Sequence, residues 1–376
     1  MTEQLRATRA APFAGRGLRE KVLRMVGAGQ LYDRLARLSS SLHEQRAISA
    51  RLEHEVQALR GDLQNERRLL HTERVEAGAR EEQLHARLTA DSDLLRVAQK
   101  RVADVEYLAA DHRLIELDYP AKPRTRHGWG KPTEPLLTKL IGDGNPRYAE
   151  RITSFLPLVE KMAEIPGETS APAEPHWVNP WIPASDAVSI YAQLVLRDPP
   201  TYLEIGSGTS TKFARRAIKD FGLRTKIISI DPFPRAEINA ICDEVIRVPL
   251  QKVSASTFSN LTGEDMLFFD GSHRALPDSD VTVFFTEILP TLPAGLLTGI
   301  HDTFLPADYP PFWGERFYSE QYLLACWLLA GSKLRIELPV FYCGLLPELH
   351  GILNPLWTKP SLAGAQLEGG AFWITT

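Results

Sequence analysis

From Leu35 onward apolar side chains recur every seven residues, at Leu35, Leu42, Val56, Leu63, Leu70, Ala77 and Leu84, with Leu38, Leu52 and Leu59 filling intervening positions. A seven-residue period is the spacing at which a helix offers one stripe to a partner helix, so residues 31–118 are expected to form a long α-helical coiled coil that self-associates. After Leu84 the apolar row moves to Leu88, Leu95, Val102 and Ala109, a four-residue insertion that locally unwinds a supercoil. Continuous helix over residues 31–109 would make a rod roughly 120 Å long at 1.5 Å per residue. Gln45, Ser49, Glu66 and Glu73 occupy seam positions and leave the number of strands open.

Residues 1–30 precede this stretch with six Lys/Arg against two acids. Within them, residues 17–28 place Leu18, Val22, Met25 and Val26 on one helical face, which suits either contact with a membrane surface or a solvated lead-in.

Beyond residue 118 the pattern changes twice. Residues 119–180 are crowded with Pro and Gly around one helix-like stretch at 147–163, and read as a linker with a short helix. Residues 181–376 then alternate short apolar runs with amphipathic segments, the pattern of a parallel α/β sheet. Strands are expected at 201–205, 226–230, 244–248, 265–269, 295–300, 334–342 and 371–375, with helices at 185–196, 210–221, 278–289 and 319–330.

Composition sharpens this division. Only Pro12 of the 27 prolines precedes Pro120, and no aromatic residue falls between Tyr32 and Tyr107, so the first third has nothing with which to build a globular core. The formal net charge is -4, and neither large part is basic, which argues against a nucleic-acid partner. Three cysteines, Cys242, Cys326 and Cys343, without C-x-x-C spacing give neither a disulfide framework nor a zinc knuckle; they read as buried thiols in a reducing, cytoplasmic setting. No run of 18 apolar residues and no secretory leader is apparent, so the chain is expected neither to span a membrane nor to be exported by that route.

The chemistry begins where the first strand runs through Glu204, Gly206, Ser207 and Gly208 into a helix. Glycines let the backbone approach a ligand, and a helix start offers free N–H groups. A dinucleotide fold wants a third glycine where Thr211 stands. An acid at position 204, two residues before the first glycine, would repel a pyrophosphate but suits a cationic ligand. The second strand ends at Asp231, where a carboxylate can accept hydrogen bonds from ribose hydroxyls. Together these favour a ribonucleoside that carries a positive charge.

These segments, YLEIGSGTSTKFARRAI, ISIDPFPR, MLFFDGSHR, GIHDTFLPADYP and RFYSEQYLL, resemble the class I S-adenosylmethionine (SAM)-dependent methyltransferases, in particular the bacterial type called methyltransferase domain 24. The resemblance covers roughly residues 179–376. It implies a seven-stranded Rossmann-like sheet with an antiparallel strand at 371–375, and SAM at the carboxyl ends of the first strands. By position, Glu204, Gly206, Ser207 and Gly208 would hold the methionyl end and Asp231 the ribose, with Asp270 also at the cofactor. Gln251 stands where members of this type often carry an acid, so the adenine-side contact departs from the pattern.

Two further strand ends deliver polar groups to the same sheet edge, Asp270 with His273 and His301 with Asp302. Methyl transfer to a hydroxyl needs in-line positioning and removal of a proton, for which His273 or His301 is the natural base. Asp270, His301 and Asp302 are alternatively a set that holds a divalent ion, Mg or Mn. Each also has a purely structural reading, as a turn cap or a backbone partner. The following loop, residues 303–318, contains six aromatic residues and three prolines; it suits a lid that stacks on a sugar or planar ring, or equally a packed segment on the next helix. The expected activity is O-methylation of a sugar, glycan-linked or other small-molecule acceptor. Alternatives are a SAM-fold hydroxylase or oxidoreductase, and a non-catalytic coiled-coil scaffold that binds SAM.

Overall fold

The computed structural model describes residues 29–72, 77–111, 113–234 and 237–376, which divide into a unit ending at Ala121 and a unit from Lys122 to Thr376. The basic segment 17–28 lies outside the described residues. Among those that are described, no helix is long and apolar enough to cross a membrane.

The first unit contains two helices, α1 (Gly29–Thr72) and α2 (Ala77–Ala110). Their arrangement corrects the expectation of one continuous rod. Arg37, near the start of α1, lies 3.7 Å from Asp118 and donates to the carbonyl of Glu116, both of which follow the end of α2. Collinear helices would hold these residues roughly 120 Å apart at 1.5 Å per residue, so the chain must turn back on itself. Leu38, Leu52, Val56 and Leu59 of α1 and Leu88, Leu95 and Val102 of α2 are half-buried, whereas Leu35 and Leu42 stay exposed. The heptads therefore serve, at least in part, to pair the two helices of one chain.

The second unit begins well before residue 181. Glu134 caps α3 (Pro135–Gly142) by accepting the Leu137 N–H at 2.6 Å, and Pro135 supplies the fixed φ that suits a first helical turn. Together with α4 (Asn145–Thr153) and α5 (Val159–Ala163) it buries Leu137, Ile141, Tyr148, Ile152 and Met162 in the same core as the sheet. Trp177, also buried, lies 5.1 Å from the ring of Phe213. Residues 122–180 are thus part of the folded body rather than a linker. Their turn chemistry reads as a connector because each helix is under ten residues, too short to display a period.

Seven strands follow, β1 (Thr201–Ile205), β2 (Lys226–Ile230), β3 (Glu244–Ile246), β4 (Met266–Phe269), β5 (Leu297–Ile300), β6 (Arg335–Pro339) and β7 (Phe372–Thr375), in the order β3-β2-β1-β4-β5-β7-β6. All are parallel except β7, which runs antiparallel between β5 and β6. The expected antiparallel strand at the chain's end is found there. Helices α6 (Ala184–Arg197), α7 (Thr209–Phe221) and α8 (Glu320–Leu329) flank the sheet. Strands β4 and β5 are buried along their whole length, as strands of a doubly covered parallel sheet should be, and β4 is apolar throughout.

The single helix expected at 278–289 is instead a short helix, Asp280–Val283, that widens into a π turn and ends in a tight turn at 289–291. Pro290 has no N–H to continue the regular ladder, which accounts for the change. Strand order reverses between β1 and β4. Their carboxyl ends therefore diverge, and that crevice is where open α/β sheets bind ligands.

Candidate active site

A cavity of about 760 Å³ opens at these strand ends, lined by the β1 loop, Asp231, Asp270, His273, His301 and Asp302 among others. The β1 loop owes its path to one residue. Gly206 has φ +81°, and a Cβ there would sit 1.7 Å from the carbonyl oxygen of Asp270. Its N–H donates to the Ile230 carbonyl at 2.9 Å, while the Asp270 N–H donates to Ile205 at 2.8 Å, so the loop is wedged between the ends of β2 and β4. Asp231 accepts the Ser207 N–H at 2.9 Å through one oxygen and the Phe233 N–H at 2.8 Å through the other. Each of those oxygens keeps a second lone pair for a ligand.

Glu204 does not reach the cavity. It is fully buried behind the loop, where Tyr202 and Thr211 donate hydroxyls to its carboxylate, and Thr211 Oγ1 accepts the Gly208 N–H at 2.9 Å. The structure places Glu204 behind the loop rather than on the cavity wall, where it braces the loop from beneath. Burial pushes its pKa up to about 7 from an ordinary 4.5, against the pull of the hydroxyl donors. An acid whose pKa is raised by folding stabilises the fold fully below its unfolded value, and that contribution is lost as pH rises through the folded value. The stability of wild type relative to Glu204→Gln should therefore fall between about pH 4.5 and 7. Parallel slopes in urea titrations of the two proteins across that window would contradict this.

Two histidines and four carboxylates meet on the other wall. His301 Nε2 lies 3.1 Å from Asp186 Oδ2, and Asp186 also accepts the N–H groups of Gly370 at 2.8 Å and Ala371 at 2.7 Å. A carboxylate already serving as acceptor to two amides takes a third donor, so Nε2 carries the proton and Nδ1 faces Asp270 at 3.3 Å and Asp302 at 3.6 Å. His273 repeats this arrangement with its nitrogens exchanged. Its Nδ1 lies 3.2 Å from buried Glu320, and its Nε2 faces Asp302 at 3.3 Å and Asp270 at 3.4 Å. Burial alone would lower both imidazoles, but the surrounding carboxylates outweigh it, raising His273 to about 9 and His301 well above its usual value. Burial raises Glu320 to about 7, opposed by His273.

Asp270, His301 and Asp302 each present one donor atom within 4.8 Å of the others. Oxygen, nitrogen and oxygen donors suit Mg or Mn, and the Asp186 bond behind His301 is the support that metal-ligating histidines commonly have. His273 and Asp302 adopt positive φ, at 61° and 51°, in turns that aim both side chains inward. Asp186, Glu320 and Asp280, whose carboxylate accepts the Ser272 N–H at 2.7 Å, were not legible as site residues. The first two approach from helix starts distant in sequence from the strand-end motifs.

The aromatic loop divides between its two readings. Phe304 and Tyr309 are buried with Phe341, and Asp308 accepts the backbone N–H groups of Arg126 and His127 while its carbonyl takes the Trp129 indole N–H at 2.8 Å. The tip differs. Phe312 is 79% exposed and, with Trp313 and Tyr318, lines the cavity mouth. Gln251 also lines the cavity, its amide donating to Asp278. Of the three cysteines only Cys343 is buried; Cys326 is exposed, contrary to expectation.

A methyltransferase domain family model matches residues 203–303. That match supports a methyltransferase over β1 to β5 and the strand-end clusters. The chain is similar to SAH-bound methyltransferase PaMTH1 from Podospora anserina, with 18% identity over 50% of this chain and 76% of that one and a TM-score of 0.31. It is similar to the cmcI-D160 Mg-SAM structure at 15% identity over 51% and 72%, TM-score 0.30. A branched-chain polyamine synthase C9 mutein from Thermus thermophilus, bound to N4-aminopropylspermidine and 5'-methylthioadenosine, aligns at 16% identity over 72% and 75%, TM-score 0.28. Alignments this distant decide nothing about activity. No curated protein matches the chain significantly.

Proposed function

We propose that this chain is a SAM-dependent methyltransferase that O-methylates a sugar or glycan-linked hydroxyl. The observation that carries the reading is that one cavity joins the glycine loop and Asp231 on one wall to the paired histidines and carboxylates on the other. SAM supplies a methyl group on a sulfonium, so the acceptor oxygen gains a C–O bond as the C–S bond breaks and S-adenosylhomocysteine leaves.

The chain's own groups divide the remaining work. The Gly206–Gly208 loop, its own N–H groups held by Ile230, Asp231 and Thr211, lets the methionyl end approach its bare backbone, and the free lone pairs of Asp231 accept from the ribose hydroxyls. His273 Nε2, with its other nitrogen held by Glu320, takes the acceptor's proton when the ring is neutral, and because its pKa is raised to about 9 turnover should climb as pH rises toward that value. Asp270, His301 and Asp302 would hold a divalent ion, which would lower the pKa of the acceptor hydroxyl. Asp231→Ala is expected to cost about 1.5–3 kcal/mol of SAM affinity, ten- to a hundredfold by titration calorimetry. Unchanged affinity would overturn the cofactor assignment.

The same proposal includes self-association through the helical first unit, supported by Leu35 and Leu42, which the hairpin leaves exposed. Leu35→Glu with Leu42→Glu should then lower the oligomeric state in light scattering. A wild-type monomer at micromolar concentration would end that part of the proposal.

A further inference from the structure

The cavity is not uniform in charge. Its floor carries Asp270, Asp302 and the two histidines, while its mouth presents Arg316 among Phe312, Trp313 and Tyr318. The Arg316 guanidinium lies 4.3 Å from the centre of the Trp313 ring and 5.6 Å from that of Tyr318. Arg274 approaches the same Tyr318 ring at 5.1 Å, and its Nε donates to the Arg316 carbonyl at 2.8 Å. Two guanidinium groups therefore share one aromatic ring. Among the described residues neither is within ion-pair distance of a carboxylate, although the chain as a whole carries an excess of acids.

Like charges brought together without a counter-charge disfavour one another, and a stacked, weakly hydrated guanidinium keeps its planar fork of donors free for a planar or tetrahedral oxyanion. Tyr318 also fixes the scale of the subsite. Its ring centre is 4.7 Å from that of His273 and 5.6 Å from the Arg316 guanidinium, so the arginine and the imidazole are at most about 10 Å apart. A hexose ring spans such a gap. The acidic floor would repel an anion, which leaves the mouth as the place for a negative group and the floor for the hydroxyl.

We infer that Arg316, supported by Arg274 and the Phe312–Trp313 shelf, is an anion-recognition subsite, and that the acceptor is a sugar bearing a carboxylate or phosphate about one ring away from the methylated hydroxyl. This rests on the methyltransferase reading of the same cavity. It adds the acceptor's charge, which selects sugar acids and sugar phosphates over neutral sugars.

The test uses the full chain with SAM and three probes: methyl β-D-glucuronide, glucose 6-phosphate and neutral methyl β-D-glucoside. Binding is read by tryptophan fluorescence and methylation by transfer of label from SAM. At least one charged probe should bind tenfold or more tighter than the neutral glycoside, and the glucuronide and phosphate arms identify which oxyanion is preferred. Arg316→Ala should bring the charged and neutral affinities within about twofold, and Arg316→Lys should restore part of the difference. SAM affinity should be unchanged in both variants, which also shows that they fold. Equal affinities for wild type, no binding of any probe, or discrimination that survives in Arg316→Ala would overturn the inference. Failure of the wild type to bind SAM is a different result, and would instead remove the methyltransferase reading on which it rests.

Discussion

Gly206→Ala is expected to abolish SAM binding and to lower the melting temperature of the second unit by roughly 6–12 °C, for a cost of about 3 kcal/mol in a body of this size. Two penalties add at one position. An alanine at φ +81° pays for a left-handed backbone, on the order of 1–3 kcal/mol, and its Cβ would lie 1.7 Å from the Asp270 carbonyl oxygen. That oxygen belongs to backbone, so no side-chain rotation relieves the contact. Relief requires the loop and the end of β4 to separate, which moves the Ser207 N–H away from Asp231 and Asp270 away from His301. Both walls of the cavity change together. Differential scanning calorimetry and SAM titration check the two halves independently, and a variant with wild-type melting and affinity would refute the loop's role.

Periodicity made the sheet legible because strands β1, β2, β4 and β5 are short, mostly buried and mostly apolar, with β4 an unbroken apolar run. Gly206, Asp231, Asp270, His273, His301 and Asp302 were legible because parallel strands deliver their last residues to one edge, so position in sequence gives position in space. Glu204 also sits at a strand end. Its side chain nevertheless points beneath the loop, and alternation along β1 cannot distinguish a ligand-facing acid from one that braces Thr211. Asp186 and Glu320 were missed for a different reason. They reach the histidines across 115 and 47 residues, from helices whose docking onto the sheet no local pattern encodes. The segment 122–180 shows a third cause: its Pro and Gly punctuation was read correctly as turns, but turns between short helices look like a linker. Heptads in residues 35–109 fix a stripe on each helix without stating whether the partner is another chain or the same chain returning.

Chelation is expected to abolish methyl transfer while leaving SAM affinity nearly intact. The donor atoms of Asp270, His301 and Asp302 converge from two strand ends within 4.8 Å of one another, a set that does not include Asp231, to which the ribose is assigned. Asp302→Asn should then be almost as damaging as His301→Ala, because loss of either donor leaves an incomplete set. Asp186→Asn touches no ligand, yet weakens the hydrogen bond that fixes which nitrogen of His301 faces inward. Support of this kind is typically worth ten- to a hundredfold in metal affinity, measurable as Mn binding by electron paramagnetic resonance without any turnover. Removing the imidazole by His273→Ala should act on turnover with little effect on Mn affinity, since that ring is assigned to the acceptor's proton. A base acting alone gives the opposite pattern: activity survives excess chelator, falls as pH drops below about 9 and the imidazole takes a proton, and persists in Asp302→Asn. Full activity in chelator with His301→Ala dead and Asp302→Asn active would reassign the cluster from holding an ion to moving a proton.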